Sequence, residues 1–176
     1  VTISFSVLQQ VTAAQLNLLC PMTAVKASTQ SVTNSVTLVN DNDIVFTLLA
    51  NTRYMVEANL VAQSSATTGN LRLAWAVTGT VAAVASGQER MVQGSPDTAT
   101  AAPDSMLVQS RAFSLGTNNL NTMSTASTNY YVREVLLLDG GASGGTIQLQ
   151  FAQFTAVASN AVRLMAGSFA VCRAVA

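Results

Sequence analysis

The chain reads as an all-β protein: an antiparallel β-sandwich or jelly roll of about eight strands, preceded by a short N-terminal arm and helix. Three observations point there. Segments rich in Val, Thr, Leu, Phe and Tyr recur at fairly even spacing from residue 25 onward, separated by Asn, Asp, Gly and Ser clusters. Several of them alternate apolar and polar residues with the period of two that turns one strand face toward a core. The Thr and Val content favours strands over helices independently. At 176 residues, one domain with a sizeable core is the default. Residues 25–176 are read as that domain, with a long loop at 79–103, and residues 1–24 as the arm and helix ahead of it.

The elements follow in order. Val1 to Leu8 is read as an extended arm. Thr12-Ala13-Ala14-Gln15 fits a capping box, with Gln15 three residues after the N-cap Thr12. Good helix formers follow, and Pro21 stops the helix, so a short helix is expected from about Ala13 to Leu19. Ser31 to Val39 is the first expected strand, with Asn40-Asp41-Asn42-Asp43 as the turn after it and Ile44 to Leu49 as the next strand. Arg53 to Gln63 alternates, with Tyr54, Val56, Ala58 and Leu60 on one face and Met55, Glu57 and Asn59 on the other.

Leu71, Leu73, Trp75 and Val77 share a face, and Trp75, the only Trp, is the expected core anchor. Gly79 to Pro103 has little periodicity and is read as an excursion able to reach a neighbouring subunit. Met106 to Leu115 and Tyr130 to Leu138 are expected strands, and Gly116 to Asn129 a surface loop. Asp139 to Gly145 is a flexible turn. Thr146 to Phe154 gives the cleanest alternation, with Ile147, Leu149 and Phe151 inward. Ser168 to Ala174 closes the domain, with Phe169 and Val171 expected inward.

Composition limits the function classes. Eight basic and eight acidic residues give zero formal net charge, and no residue is His, while 49% are hydrophobic. Soluble domains commonly carry roughly a quarter charged residues. Here Thr, Ser, Asn, Gln, Ala and Val must cover the surface, which suits a protein packed against neighbours. The charge balance leaves no footprint for nucleic acid or an anionic membrane. No apolar run approaches the roughly 18–20 residues of a membrane span. No Lys or Arg precedes the first apolar residues, so no signal peptide is expected. Cys20 and Cys172 are read as free, buried thiols, although a bridge between them is arithmetically possible.

Catalytic constellations are hard to build. Without His there is no Ser-His-Asp or Cys-His arrangement. The sole Lys, Lys26, stands alone in sequence, so there is no P-loop lysine. Asp41 and Asp43 have oxygen-rich spacing, but turn chemistry explains them without a metal. Glu57 and Glu134 sit within strand patterns where two carboxylates could face each other. Ion pairing with Arg53, Arg72 or Arg133 is the simpler expectation. Neither an enzyme nor a cofactor site is expected. Tyr130 and Tyr131 should point to opposite faces of one strand, one into the core and one outward.

Several motifs resemble a module of tailed-bacteriophage structural proteins. They are Gln30-Ser31-Val32-Thr33-Asn34-Ser35, Thr37-Leu38-Val39-Asn40-Asp41 and Ala50-Asn51-Thr52-Arg53-Tyr54. Gly69-Asn70-Leu71-Arg72-Leu73-Ala74-Trp75 resembles a later strand of that module, and Ala166-Gly167-Ser168-Phe169 its closing strand. Thr12 to Asn17 is similar to a tract found ahead of such modules. The resemblance spans most of the chain except Gly79 to Pro103. It implies a non-enzymatic virion protein, and within that class a capsid decoration or cement protein. Such proteins often sit as trimers on the shell exterior and tie capsid subunits together. The implied partners are further copies of the chain, in a homotrimer, and the major capsid protein or other virion proteins. The alternative is a tail-tip or tail-fibre module that binds a host-surface glycan or protein. A small depolymerising enzyme would need a paired-carboxylate cleft. The candidate contact residues are Phe5, Val7, Leu8 and Leu16 in the arm, Glu89 and Arg90 in the 79–103 excursion, and Tyr131.

Overall fold

The computed structural model describes residues 20–65, 69–92, 107–109, 118–123, 127 and 129–175, with side chains except at 69–70, 85–92, 107–109 and 118–123. The chain is all-β over this range and forms two antiparallel sheets. Twelve strands run in chain order: β1 (Met22–Val25), β2 (Gln30–Thr33), β3 (Val39–Leu48), β4 (Arg53–Ser64), β5 (Gly69–Val77) and β6 (Ala82–Val92), then β7 (Leu107–Gln109), β8 (Asn118–Met123), β9 (Tyr130–Asp139), β10 (Gly145–Gln153), β11 (Ala161–Leu164) and β12 (Phe169–Val175). Four of these, β1, β2, β7 and β11, are only three or four residues long, which accounts for the excess over the eight expected. The expected N-terminal helix lies outside the described residues.

The larger sheet has eight strands, ordered β1-β12-β4-β9-β6-β7, with β11 paired to both β2 and β4. The smaller has four, ordered β3-β10-β5-β8. The long strands β4 and β9 share ten paired positions, from Arg53↔Asp139 to Ala62↔Tyr130. Their inward residues, Tyr54, Val56, Ala58 and Leu60 with Val132, Leu136 and Leu138, are buried. The small sheet answers with Ile44, Phe46 and Leu48, with Leu71, Leu73 and Trp75, and with Ile147, Leu149 and Phe151. Burying each such side chain contributes about 1.5–3 kcal/mol, so this shared core holds the two layers face to face.

Four local readings are corrected. Asn40 to Asp43 is not a free turn but the first part of β3, where the pairing with β10 shifts between Gln148↔Val45 and Gln150↔Asn40. The bulge turns Asp41 inward, and its Oδ1 accepts the backbone N–H groups of Asp43 and Ile44 at 3.0 and 2.9 Å. Ser31 to Val39 is not one strand, because Asn34 adopts φ 50° and breaks it after Thr33. Residues 82–92, expected in an irregular excursion, form β6, which pairs with β9 along its length. The backbone hydrogen bonds to β9 override the weak hydrophobic pattern there. In β12 the phase is inverted: Ala170 and Cys172 are buried, while Phe169 is exposed and Val171 half-buried. Two shorter differences accompany these. Within Met106 to Leu115 the described strand is Leu107–Gln109, and Asn118–Met123, expected in a loop, pairs with β5.

Glycines close one end of the sandwich. A side chain on Gly79 (φ 69°) would place its Cβ 2.1 Å from the Gly144 carbonyl oxygen, so only Gly lets the β5–β6 turn pack on the β9–β10 turn.

Candidate functional site

Alternation along β4, β9 and β12 dictates what the larger sheet shows to solvent. With the even-numbered residues of β4 in the core, Met55, Glu57, Asn59 and Val61 face out. Register then aligns neighbours across the sheet. Val25 lies opposite Phe169, Phe169 opposite Asn59, and Asn59 opposite Arg133. Val61 lies opposite Tyr131. Tyr131 and Phe169 are about two-fifths exposed (40% and 39%), and Val25 more so.

All of these except Val25 line two adjoining concavities. One, of about 360 Å³, lies between Val61, Tyr131, Arg133, Gly167 and Phe169. The other, of about 440 Å³, lies between Pro21, Met55, Glu57, Val171 and Arg173. Asn59 and Phe169 belong to both, which makes them one groove along the outer face. Arg133 Nε donates to Glu57 Oε1 at 3.0 Å, while Arg173, also in the lining, stays exposed to solvent. That hydrogen bond, with the charge of Arg133 behind it, holds the Glu57 carboxyl below its ordinary range, although partial burial opposes the shift.

Elsewhere, the polar groups serve the fold. Lys26, alone in sequence, is not alone in space. Its Nζ lies 2.8 Å from Asp41 Oδ2 with both side chains fully buried, and 3.5 Å from Asp43 Oδ2. Asp41 Oδ2 has no hydrogen-bond donor other than that ammonium among the described residues. Lys26 Nζ also donates to Gln30 Oε1 at 3.3 Å. The cluster ties the β1–β2 segment to the β3 bulge. Glu57 and Glu134 do not form a carboxylate pair. Register sets Glu134 opposite Ala58 and Glu57 opposite Val135, so Glu134 faces the core and Glu57 the outer groove. Trp75 Nε1 donates to Glu134 Oε2 at 2.7 Å. Asp139 pairs with Arg53 at 3.5 Å.

Both thiols are free, but only Cys172 is buried, whereas Cys20 is exposed. Burial pushes the Cys172 thiol up to about 12. Among the described residues no group of three His, Cys, Asp or Glu could hold a metal ion. No helix among them is long and apolar enough to cross a membrane.

The predicted contact residues divide. Phe5, Val7, Leu8 and Leu16 lie outside the described residues. Glu89 and Arg90 stand in β6, at the register of Arg133 and Val132 respectively. Tyr131 is on the outer face and its neighbour Tyr130 is buried, so the two rings point to opposite faces of β9. Sequence reasoning missed Phe169, Val61 and Val25. For Phe169 the signal was ambiguous, since Phe169, Ala170, Val171 and Cys172 are all apolar and an alternating pattern cannot choose between the two phases.

No family model matches the chain, and no curated protein matches it. Among solved structures, the chain is similar to "Structure of infectious bursal disease virus Gx strain" at 11% identity, with a TM-score of 0.21. The match covers 87% of this chain and 40% of that one. Likeness of that degree carries no weight for fold or role, which rest on the strands and residues described above.

Proposed function

We propose that this chain is a non-enzymatic structural protein of a tailed-bacteriophage virion, a capsid decoration protein that binds and stabilises the assembled head. The observation that carries the reading is the outer face of the larger sheet. It is a largely apolar groove, with Arg133 paired to Glu57, on a protein whose formal net charge is zero. Exposed apolar surface of this kind marks contact with other proteins. The groups most suited to chemistry, Lys26, Asp41, Glu134 and Cys172, are buried, the first three in ion pairs or hydrogen bonds. The sequence motifs shared with phage structural proteins supply the class of assembly.

In this reading copies associate symmetrically as a homotrimer on the capsid exterior, and the major capsid protein is the partner. The mechanism is mass action. A ligand that binds the assembled shell, and not its dissociated subunits, stabilises the shell by an amount that grows with ligand concentration. No cofactor, nucleic acid or membrane enters. Adding the purified full chain to undecorated heads and to unassembled capsid protein tests it. Saturable binding to heads alone, with a raised head-disruption temperature, is the expected result.

A second reading has one observation in its favour. Tyr131 stands exposed beside Asn59 and Arg133 in a concavity, an aromatic face next to polar groups, as a sugar site would have. A tail-tip or tail-fibre module would use that patch on a host-surface glycan. Retention of the chain on host cell-wall glycan, abolished by Tyr131→Ala, would select this reading.

A further inference from the structure

We propose that the outer-face groove receives residues Val1 to Leu8 of a neighbouring copy of the chain, laid down as an extended strand. The proposal rests on the self-association reading above and names the contact that carries it.

Pattern is the first argument. Val1, Ile3, Phe5 and Val7 alternate with Thr2, Ser4 and Ser6, so an extended segment presents one apolar side to a surface and hydroxyls to water. The groove offers apolar partners in Val61, Tyr131, Phe169 and Val171. Charge is the second. Residues 1–19 contain no Asp, Glu, Lys or Arg. The groove pairs Arg133 with Glu57 internally. An uncharged segment therefore brings no ionic side chain that would need a partner there, and Arg173, exposed at the groove's edge, can keep its water.

Length and direction complete the case. From the Met55 level, beside Pro21, to the Val61–Tyr131 level the groove runs six residues along β4, or about 20 Å at the rise of a strand. Eight extended residues span about 26 Å. β1 runs from Met22, opposite Cys172, toward Val25, opposite Phe169. The chain thus enters β1 from the end of the sheet away from Tyr131. An arm reaching its own groove must reverse direction, whereas an arm reaching a neighbour's need not. Each copy gives one segment and receives one, a head-to-tail contact that closes into a ring when the rotation permits.

The test uses the full chain with a photoreactive benzophenone amino acid at position 5. Light and isotopically heavy chains are mixed unfolded, refolded together and irradiated. The expected product joins position 5 to the Val61, Tyr131 or Phe169 region, with about half of all cross-links between light and heavy chains, as random mixing requires. Cross-links only within single chains would mean that the arm covers its own groove, and would overturn the proposal. Cross-links between chains but outside the groove would overturn it while leaving self-association intact. A chain that stays monomeric at all concentrations and forms no inter-chain cross-link would instead sink self-association in solution, and the proposal with it. As a second measurement, Phe169→Ser should weaken association at least tenfold while leaving the thermal transition of the fold in place. Unchanged association would count against the groove.

Discussion

Trp75 and Glu134 tie the two sheets together through a single buried hydrogen bond. The indole Nε1 on β5 donates to Glu134 Oε2 on β9 at 2.7 Å, and both residues are almost wholly inaccessible to water. A carboxylate in this position is costly to bury, and an indole N–H left there without an acceptor is costly too. Each therefore satisfies a polar group of the other within the core that the two sheets share.

Replacing Glu134 with Leu removes the acceptor and leaves the indole donor buried. The expected loss is about 1–3 kcal/mol in chemical denaturation. Glu134→Gln keeps an amide oxygen in reach and should cost clearly less. Equal losses for the two variants would show that the hydrogen bond does not matter.

The Lys26–Asp41 pair makes a sharper prediction. Breaking a buried ion pair from one side strands a charge and typically costs about 3–5 kcal/mol. Lys26→Met should fall in that range. Adding Asp41→Asn to Lys26→Met removes the stranded charge and keeps the Oδ1 that accepts from Asp43 and Ile44, so the double variant should be more stable than Lys26→Met alone. Urea unfolding of the three proteins decides it.

The Glu57–Arg133 pair is partly exposed, and its effect should be small and pH-dependent. Glu57 has a lowered folded-state pKa, chiefly through the hydrogen bond from Arg133. The stabilisation is therefore complete above the carboxyl's unfolded-state pKa and is lost as pH falls through the lower folded value. Wild type should exceed Glu57→Gln by no more than about 1 kcal/mol at neutral pH. That difference should vanish as the solution is acidified. A difference that grows in acid would reverse the assignment.

The two thiols should react in sequence. Cys20 is exposed, while Cys172 is buried and its pKa is pushed up to about 12, so almost none of it is thiolate at neutral pH. Alkylation of the native protein followed by mass mapping should label Cys20 alone, and both after denaturation. Rapid native labelling of Cys172 would mean that β12 opens readily.

How far these features could be read in the sequence depended on local contrast. In β10, and in β4 around Glu57 and Asn59, apolar residues alternate with polar ones, so Tyr54, Val56, Leu60, Ile147, Leu149 and Phe151 read directly as core. β12 lacks that contrast, and Phe169 was placed inward when it forms the crest of the outer groove. Asn40 to Asp43 carries every mark of a turn. Only the buried Lys26, fifteen residues before Asp41, explains why it is a strand bulge instead. β6 is hidden because its identity comes from pairing with β9, whose partner positions lie 38 to 57 residues further along the chain, from Val92↔Tyr130 to Ala82↔Asp139. The candidate site was half legible: Tyr131 was found from the opposed faces of adjacent tyrosines, but the groove needs register between strands far apart in sequence.

The most direct test of the virion reading is cryo-electron microscopy of the intact particle that contains this chain. The account predicts β-sandwich density on the outside of the capsid shell, at its local symmetry axes, with neighbouring copies joined through the face that bears Phe169 and Tyr131. Density confined to the tail, or none anywhere in the particle, would contradict it.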